Sequence, residues 1–361
     1  MLQFRDRSTA IKILERLASM GLDLTLMHVC GTHQDTIVRY GLDTLLEKCG
    51  VDIRQGPGCP VCVTTTREIE EAMTLARNGK IIATFGDMLR VPGASGSLAD
   101  ARSEGARVRV VYSITDAVKI AQGTDEEVVF VAIGFETTAP STAVTILKRP
   151  PENFSVISCH RYLPPALDAL LAMGELNIHG IIEPGHVSTI IGTRPYQAIS
   201  KKYKLPQVIA GFEPLDVLMA VYMIARQIQA SEPTVQNEYR RTVREGGNER
   251  ALKVLSEVFE PRGARWRGFP TIPDSKMKLK EEFGSFDAEK KYDDDLEEVL
   301  RTEFPEPEGC GCDRVLRGLM EPQECILFGK ACTPQHPVGP CMVSTEGSCS
   351  IEYKYRRFRA T

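Results

Sequence analysis

Short apolar runs rich in β-branched residues recur along the first two thirds of this chain, and segments of helical period lie between them. The runs fall at 24–29, 81–85, 108–112, 128–133, 154–158, 178–182 and 208–210; helical patterns include 67–77, 165–173 and 214–230. A strand that is apolar on both faces must be covered on both faces. Parallel neighbours also need a crossover, usually a helix. The predicted fold class is therefore α/β, with two parallel-sheet α/β domains plus a C-terminal region rich in helix and loop. The expected divisions are 1–125, 126–231 and 232–361, with the N-terminal helix as a candidate packing partner of the last. An internal echo, Gly134-Phe135-Glu136-Thr137 against Gly211-Phe212-Glu213-Pro214, fits two similar halves.

From 232 to 308 the chain becomes charged and is interrupted by six prolines. Helices are expected at 235–258 and 294–302, with connector between. The acidic run Asp293-Asp294-Asp295 reads most simply as a solvated face. Overall the composition is that of an ordinary globular chain, 42% apolar and 25% charged. A formal net charge of −4 gives no electrostatic footprint for nucleic acid. The basic tail Lys354, Arg356, Arg357 and Arg359 reads as a solvated terminus. The longest apolar stretch, near 128–133, falls far short of the roughly 20 residues that span a bilayer. No signal-peptide core opens the chain, so no membrane partner and a cytoplasmic location are expected.

Cysteine is the informative residue. There are eleven, and six of them lie between Cys310 and Cys349. A cytoplasmic chain has little use for structural disulfides at that density, whereas metal and redox sites need thiols. The spacing Cys325-x6-Cys332-x8-Cys341-x7-Cys349 offers four thiolates, the usual complement of a 4Fe–4S cluster. Zinc also accepts four cysteines, but its sites usually pair ligands as C-x2–4-C, and these four do not. Cys310 and Cys312 are rival ligands; alternatively they form a second, strained redox pair or pack as plain thiols. Gly58-Cys59-Pro60-Val61-Cys62 reads as a redox pair or as half a metal site. Cys30 stands between His28 and His33 at a strand end, placed to ligate iron or act as a nucleophile. Cys49 and Cys159 read as core.

Polar groups gather after the apolar runs, where parallel sheets present ligands: Asp87, Thr137, Thr138, His160, His186. Turn and cap roles suffice for Thr137, Thr138 and Ser188. No dinucleotide fingerprint, phosphate loop or hydrolase elbow is present.

The segments MHVCGTH (27–33), GPGCPVC (56–62), IGFETTAP (133–140), EPGHVSTIIG (183–192), GFEPLDVL (211–218) and LFGKACTPQHPVGPCMVSTEGSC (327–349) resemble, in order, the signature segments of the HypD family. Only 232–308 lacks such likeness. The resemblance implies a factor that helps assemble the Fe(CN)2CO unit of nickel–iron hydrogenases, more a scaffold with redox activity than a conventional turnover enzyme. It implies a HypC-like chaperone as partner and HypE, with HypF, as cyanide donor. By motif, Cys30 would ligate the Fe(II) under construction, Cys59 and Cys62 would be the redox pair, and Cys325, Cys332, Cys341 and Cys349 would hold the cluster. Asp87, His186 and Glu346 become candidates to relay protons or orient ligands; as turn and cap polarity they need no such role. Two other readings stay open: a cluster-dependent protein disulfide reductase resembling ferredoxin–thioredoxin reductase, and a zinc-stabilised binding module.

Overall fold

A computed structural model describes residues 6–356. In chain order its strands are β1 (Leu24–His28), β2 (Val51–Gln55), β3 (Ile81–Thr84), β4 (Val108–Val110), β5 (Val128–Gly134) and β6 (Phe154–His160). They continue with β7 (Gly180–Pro184), β8 (Gln207–Ala210), β9 (Val235–Asn237), β10 (Phe259–Arg265) and β11 (Thr271–Leu279). Two sheets are parallel throughout, one of order β2-β1-β7-β8-β9 and one of order β4-β3-β5-β6. Strands β10 and β11 make a separate antiparallel hairpin. The α/β class with two parallel sheets is as the sequence predicts.

The chain starts the five-stranded sheet, leaves it to build the four-stranded one, and returns. The expected boundary at 125/126 therefore cuts through the second sheet, where Ile81 pairs with Val128. Apolar runs mark strands, but they carry no record of which strand pairs with which. A crossover can return a later strand to either neighbour.

Two strands of the parallel sheets escape the apolar signature. β2 reads Val-Asp-Ile-Arg-Gln and β9 Val-Gln-Asn, and they form the two edges of the larger sheet. An edge strand is open on one side and need not be an apolar run. The helix expected over 235–258 is accordingly shorter: β9 and turns come first, and the helix runs only Glu249–Val258. The expected connector that follows is largely the β10–β11 hairpin. Its Phe259, Met277 and Leu279 bury against Phe130, Phe154 and Val156 of the smaller sheet.

The helices have legible causes. Thr65 and Glu68 form a capping box that starts Thr66–Arg77. Pro214 opens Pro214–Ala230 at a position where its missing N–H costs nothing. The N-terminal helix Arg7–Ala18 packs on Pro214–Ala230, burying Ile13 and Leu17. The cysteine-rich segment instead meets the body of the protein through Ser348–Arg356, which packs on Gly31–Tyr40. The acidic helix Asp293–Arg301 buries Leu296 and bonds Lys80 through Asp295, so only part of its acidic run is a free face. Arg357 and Arg359 of the basic tail lie outside the described residues. Among the described residues no helix is long and apolar enough to cross a membrane.

Candidate functional site

In each parallel sheet the order of addition reverses once, between β1 and β7 in the larger sheet and between β3 and β5 in the smaller. The carboxyl ends of strands flanking such a reversal form a crevice that ligands use. Cys30 follows β1, Glu183 and His186 lie at the end of β7, Asp87 follows β3, and Glu136 follows β5.

Cys30 is extended (φ −153°, ψ 129°) and caps the helix Gly31–Tyr40. It is buried at the first turn of that helix, beside the backbone N–H groups of Thr32 and His33. Burial, reinforced by the nearby Glu346 carboxylate, nevertheless pushes the thiol up to about 11. Two glycines bring other segments against it. A Cβ on Gly58 would overlap the backbone of Val29 and Cys30, and one on Gly31 would overlap Glu346. Only glycine permits such approach. The CGTH, CPVC and 344–349 segments thus touch through backbone.

Cys59 and Cys62 are joined as a disulfide with Cα atoms 5.2 Å apart, and both are fully buried. Cys59 caps the short helix Pro60–Val63, its Sγ accepting from the Cys62 N–H at 3.2 Å. That helix rests on β5 on one side and on the Pro340–Met342 turn, which carries Cys341, on the other. Asp87 Oδ2 accepts from Ser344 Oγ (3.2 Å), Thr345 N–H (3.1 Å) and Thr345 Oγ1 (3.3 Å). Glu346 accepts from Thr32 Oγ1 at 3.4 Å, and burial pushes its carboxyl up. Asp87 and Glu346 are therefore brought together with Cys30. His186 stands apart at the rim, exposed, with its ring 3.9 Å from that of Phe212. Phe212 also meets His33, whose Nε2 donates to Gly211 O at 2.8 Å. Burial pushes His33 down to about 3 and His28 to about 4, so both are neutral at neutral pH.

All six C-terminal cysteines line one small pocket, walled by Val315, Leu327, Phe328 and Met342, with Cys310 and Cys325 half-buried at its edge. Cys312 Sγ lies 2.7 Å from Cys341 Sγ. The Val338 N–H donates to Cys332 Sγ at 3.4 Å. Soft donors, apolar walls and an amide aimed at sulfur suit an iron–sulfur cluster. Six thiols exceed the four that a cubane needs, and Cys310 and Cys312, side by side, line the same pocket as the other four. Among the described residues no three His, Cys, Asp or Glu side chains surround a single point as ligands of one metal ion. Cys49 and Cys159 are buried in the core, as expected.

With this geometry in view, comparison with known proteins is decisive: the sequence profile named HypD, described as the hydrogenase formation hypA family, matches residues 7–356. The chain belongs to the HypD family. It is 43% identical over 373 residues to the hydrogenase maturation factor HypD of Cupriavidus necator, covering 99% of this chain and 97% of that one. The HypD of Azotobacter vinelandii matches at the same identity and coverage. A Methanocaldococcus jannaschii protein, provisionally named for hydrogenase expression/formation, is 47% identical over 99% of this chain and all of its own length.

Two residues of this HypD-family site receive no role from the sequence. Gln34 accepts from or donates to its neighbours in a buried chain, its Oε1 2.8 Å from His28 Nε2 and its Nε2 3.2 Å from Glu352. Arg267, 1% exposed, donates to Thr64 O (3.0 Å), Thr66 Oγ1 (3.1 Å) and Glu306 (2.5 Å). It ties the residues after the disulfide to Glu306, just ahead of the cysteine-rich segment, and its charge lies near Cys312. A lone arginine in a segment that reads as connector gives no signal of this role.

Proposed function

We propose that the chain is a hydrogenase maturation factor that acts as an assembly scaffold, holding the Fe(II) that becomes the Fe(CN)2CO unit of a nickel–iron hydrogenase. The observation that carries this reading is the meeting of Cys30, the Cys59–Cys62 disulfide and the Asp87–Glu346 pair between two strand-end crevices, beside a pocket of six thiols. Maturation work implies other maturation proteins as partners, here a HypC-like chaperone that shares the iron and HypE, with HypF, as cyanide donor.

Iron is the cargo. Cys30 must shed its proton to bind it, because a thiolate and not a thiol ligates metal. The amides at the start of the helix Gly31–Tyr40 favour the thiolate, and the neighbouring Glu346 is the proton acceptor. A single thiolate leaves positions open for CO, cyanide and a partner's sulfur. Neutral His28 and His33 fix the loop through Gln34 and Gly211. Asp87 holds the segment carrying Glu346 by three hydrogen bonds. Cys325, Cys332, Cys341 and Cys349 are the residues that would hold a 4Fe–4S cluster; when bound, it would supply single electrons. Reduction of Cys59–Cys62 to two thiols consumes two electrons and two protons. Full burial of that disulfide favours an internal role over direct exchange with another protein's thiols, the disulfide-reductase alternative.

Metal analysis and a visible spectrum of anaerobically purified protein test the cluster. Iron and acid-labile sulfide, with broad absorption near roughly 400 nm, are expected. A colourless protein containing zinc would contradict the proposal and favour the zinc-stabilised module.

A further inference from the structure

A cavity of about 460 Å³ opens away from the thiol groups, between the end of β6, the helix Thr66–Arg77 and the β10–β11 hairpin. Its inner wall is charged and mostly buried. Arg161, just past β6 and 2% exposed, pairs with Glu68 at 2.5 Å. Lys276 pairs with Glu289 at 2.5 Å. Glu71, also 2% exposed, is a third acidic side chain; burial, reinforced by Glu289 and Glu68, pushes its carboxyl well up, and among the described residues it has no ion-pair partner of its own. It feels Glu68 and Glu289 as well as Lys276, and the guanidinium of Arg67 is turned to the Thr302 carbonyl. On the residues lining this cavity, two buried polar atoms have no hydrogen-bond partner among the described residues: Glu71 Oε2 and Arg161 Nε–H, the second a donor.

We propose that this cavity binds a small zwitterion, an α-amino acid or a close analogue, with its ammonium on Glu71 and its carboxylate on Arg161. An ammonium beside Glu71 would offset the carboxylates that push it up, and Glu71 would give its proton to solvent as the ligand binds. The orphan guanidinium N–H calls for an anionic oxygen. Buried polar groups left unpaired are costly, and a ligand of single charge satisfies one and leaves the other. A zwitterion meets both and adds no net charge to a buried site. Trp266, Leu300 and Phe304 give an apolar wall for the ligand's remaining atoms. The position, outside the carboxyl end of a parallel strand, is where such sheets take ligands. Nothing here depends on the maturation chemistry.

Calorimetric titration of the full chain with glycine, L-leucine, L-glutamate and L-lysine tests the site, with methylamine and acetate as single-charge controls. At least one amino acid is expected to bind one per chain, and both controls about tenfold or more weakly. Glu71→Gln should lower that affinity about tenfold while keeping a cooperative melt. If Glu71→Gln does not fold, Glu289→Gln carries the same expectation, because it frees Lys276 to neutralise Glu71. Failure of all four amino acids to bind at millimolar concentration would overturn the proposal. So would a control that binds as tightly, or unchanged affinity in a folded variant.

Discussion

Gly58 shows how much the site rests on single atoms. Its missing Cβ lets the disulfide loop lie on the backbone of Val29 and Cys30. Gly58→Ala cannot be absorbed by a side-chain rotation, since the overlap is with main chain. The variant should lose at least about 2 kcal/mol, read as a lower melting temperature, and should loosen Cys30. A wild-type melt would show that the two segments part freely. His160 makes a different prediction. It is buried with its Nε2 2.9 Å from Thr142 Oγ1, and burial pushes it down to about 3 from its ordinary 6.5. Between those values the unfolded chain holds a proton that the folded chain lacks. Stability from this group is therefore present above 6.5 and lost as pH falls toward 3, by about 1.4 kcal/mol per pH unit. Glu136, pushed up to about 7, contributes in the opposite sense, losing stability as pH rises from 4.5 to 7. His160→Gln should lower the slope of unfolding free energy against pH between roughly pH 4 and 6 by one proton's worth, about 1.4 kcal/mol per pH unit. Equal slopes in variant and wild type would refute the assignment.

At the scale of elements, the cysteine pocket is built almost without regular structure, from short turns around Pro322–Glu324 and Pro340–Met342 and the start of Ser348–Arg356. Cys325→Ala, Cys332→Ala, Cys341→Ala and Cys349→Ala are each expected to lose or cripple the cluster. Cys49→Ala, in the core of the larger sheet where its thiol donates to the Leu14 and Leu45 carbonyls, should keep full iron and sulfide. Retention of both in any of the first four removes that residue from the ligand set, and Cys310 or Cys312 would then be the replacement. The spacing of the cysteines made a cofactor region legible in the sequence. It could not reveal that Cys310 and Cys312 fold into the same pocket, because that depends on Gly311 and Gly339 passing close to Met320 and Cys310. Likewise, apolar runs disclosed seven strands of the parallel sheets, whereas β2 and β9, edge strands with polar residues between the apolar ones, and the mostly exposed hairpin strand β10 left no such run. Arg267, buried by pairing across the chain, had no local signature at all.

As a whole, the molecule joins two parallel sheets so that their crevices share one set of contacts: Asp87 from the smaller sheet and Thr32 from the larger both bond the 344–346 segment. Replacing Asp87 by Asn keeps the shape but weakens a charge-assisted set of three hydrogen bonds. The variant should lower stability by about 1–2 kcal/mol, read by thermal melting, without altering the iron content of the cysteine pocket. Loss of that iron would mean that Asp87 supports the pocket directly. The central claim is that this junction holds the iron under construction at Cys30. Its most direct test is infrared spectroscopy of the complex between the Cys30→Ala variant and its HypC-like partner. The account predicts that the variant keeps the visible absorption of the cluster and loses the CO and cyanide stretching bands; bands of wild-type intensity would contradict it.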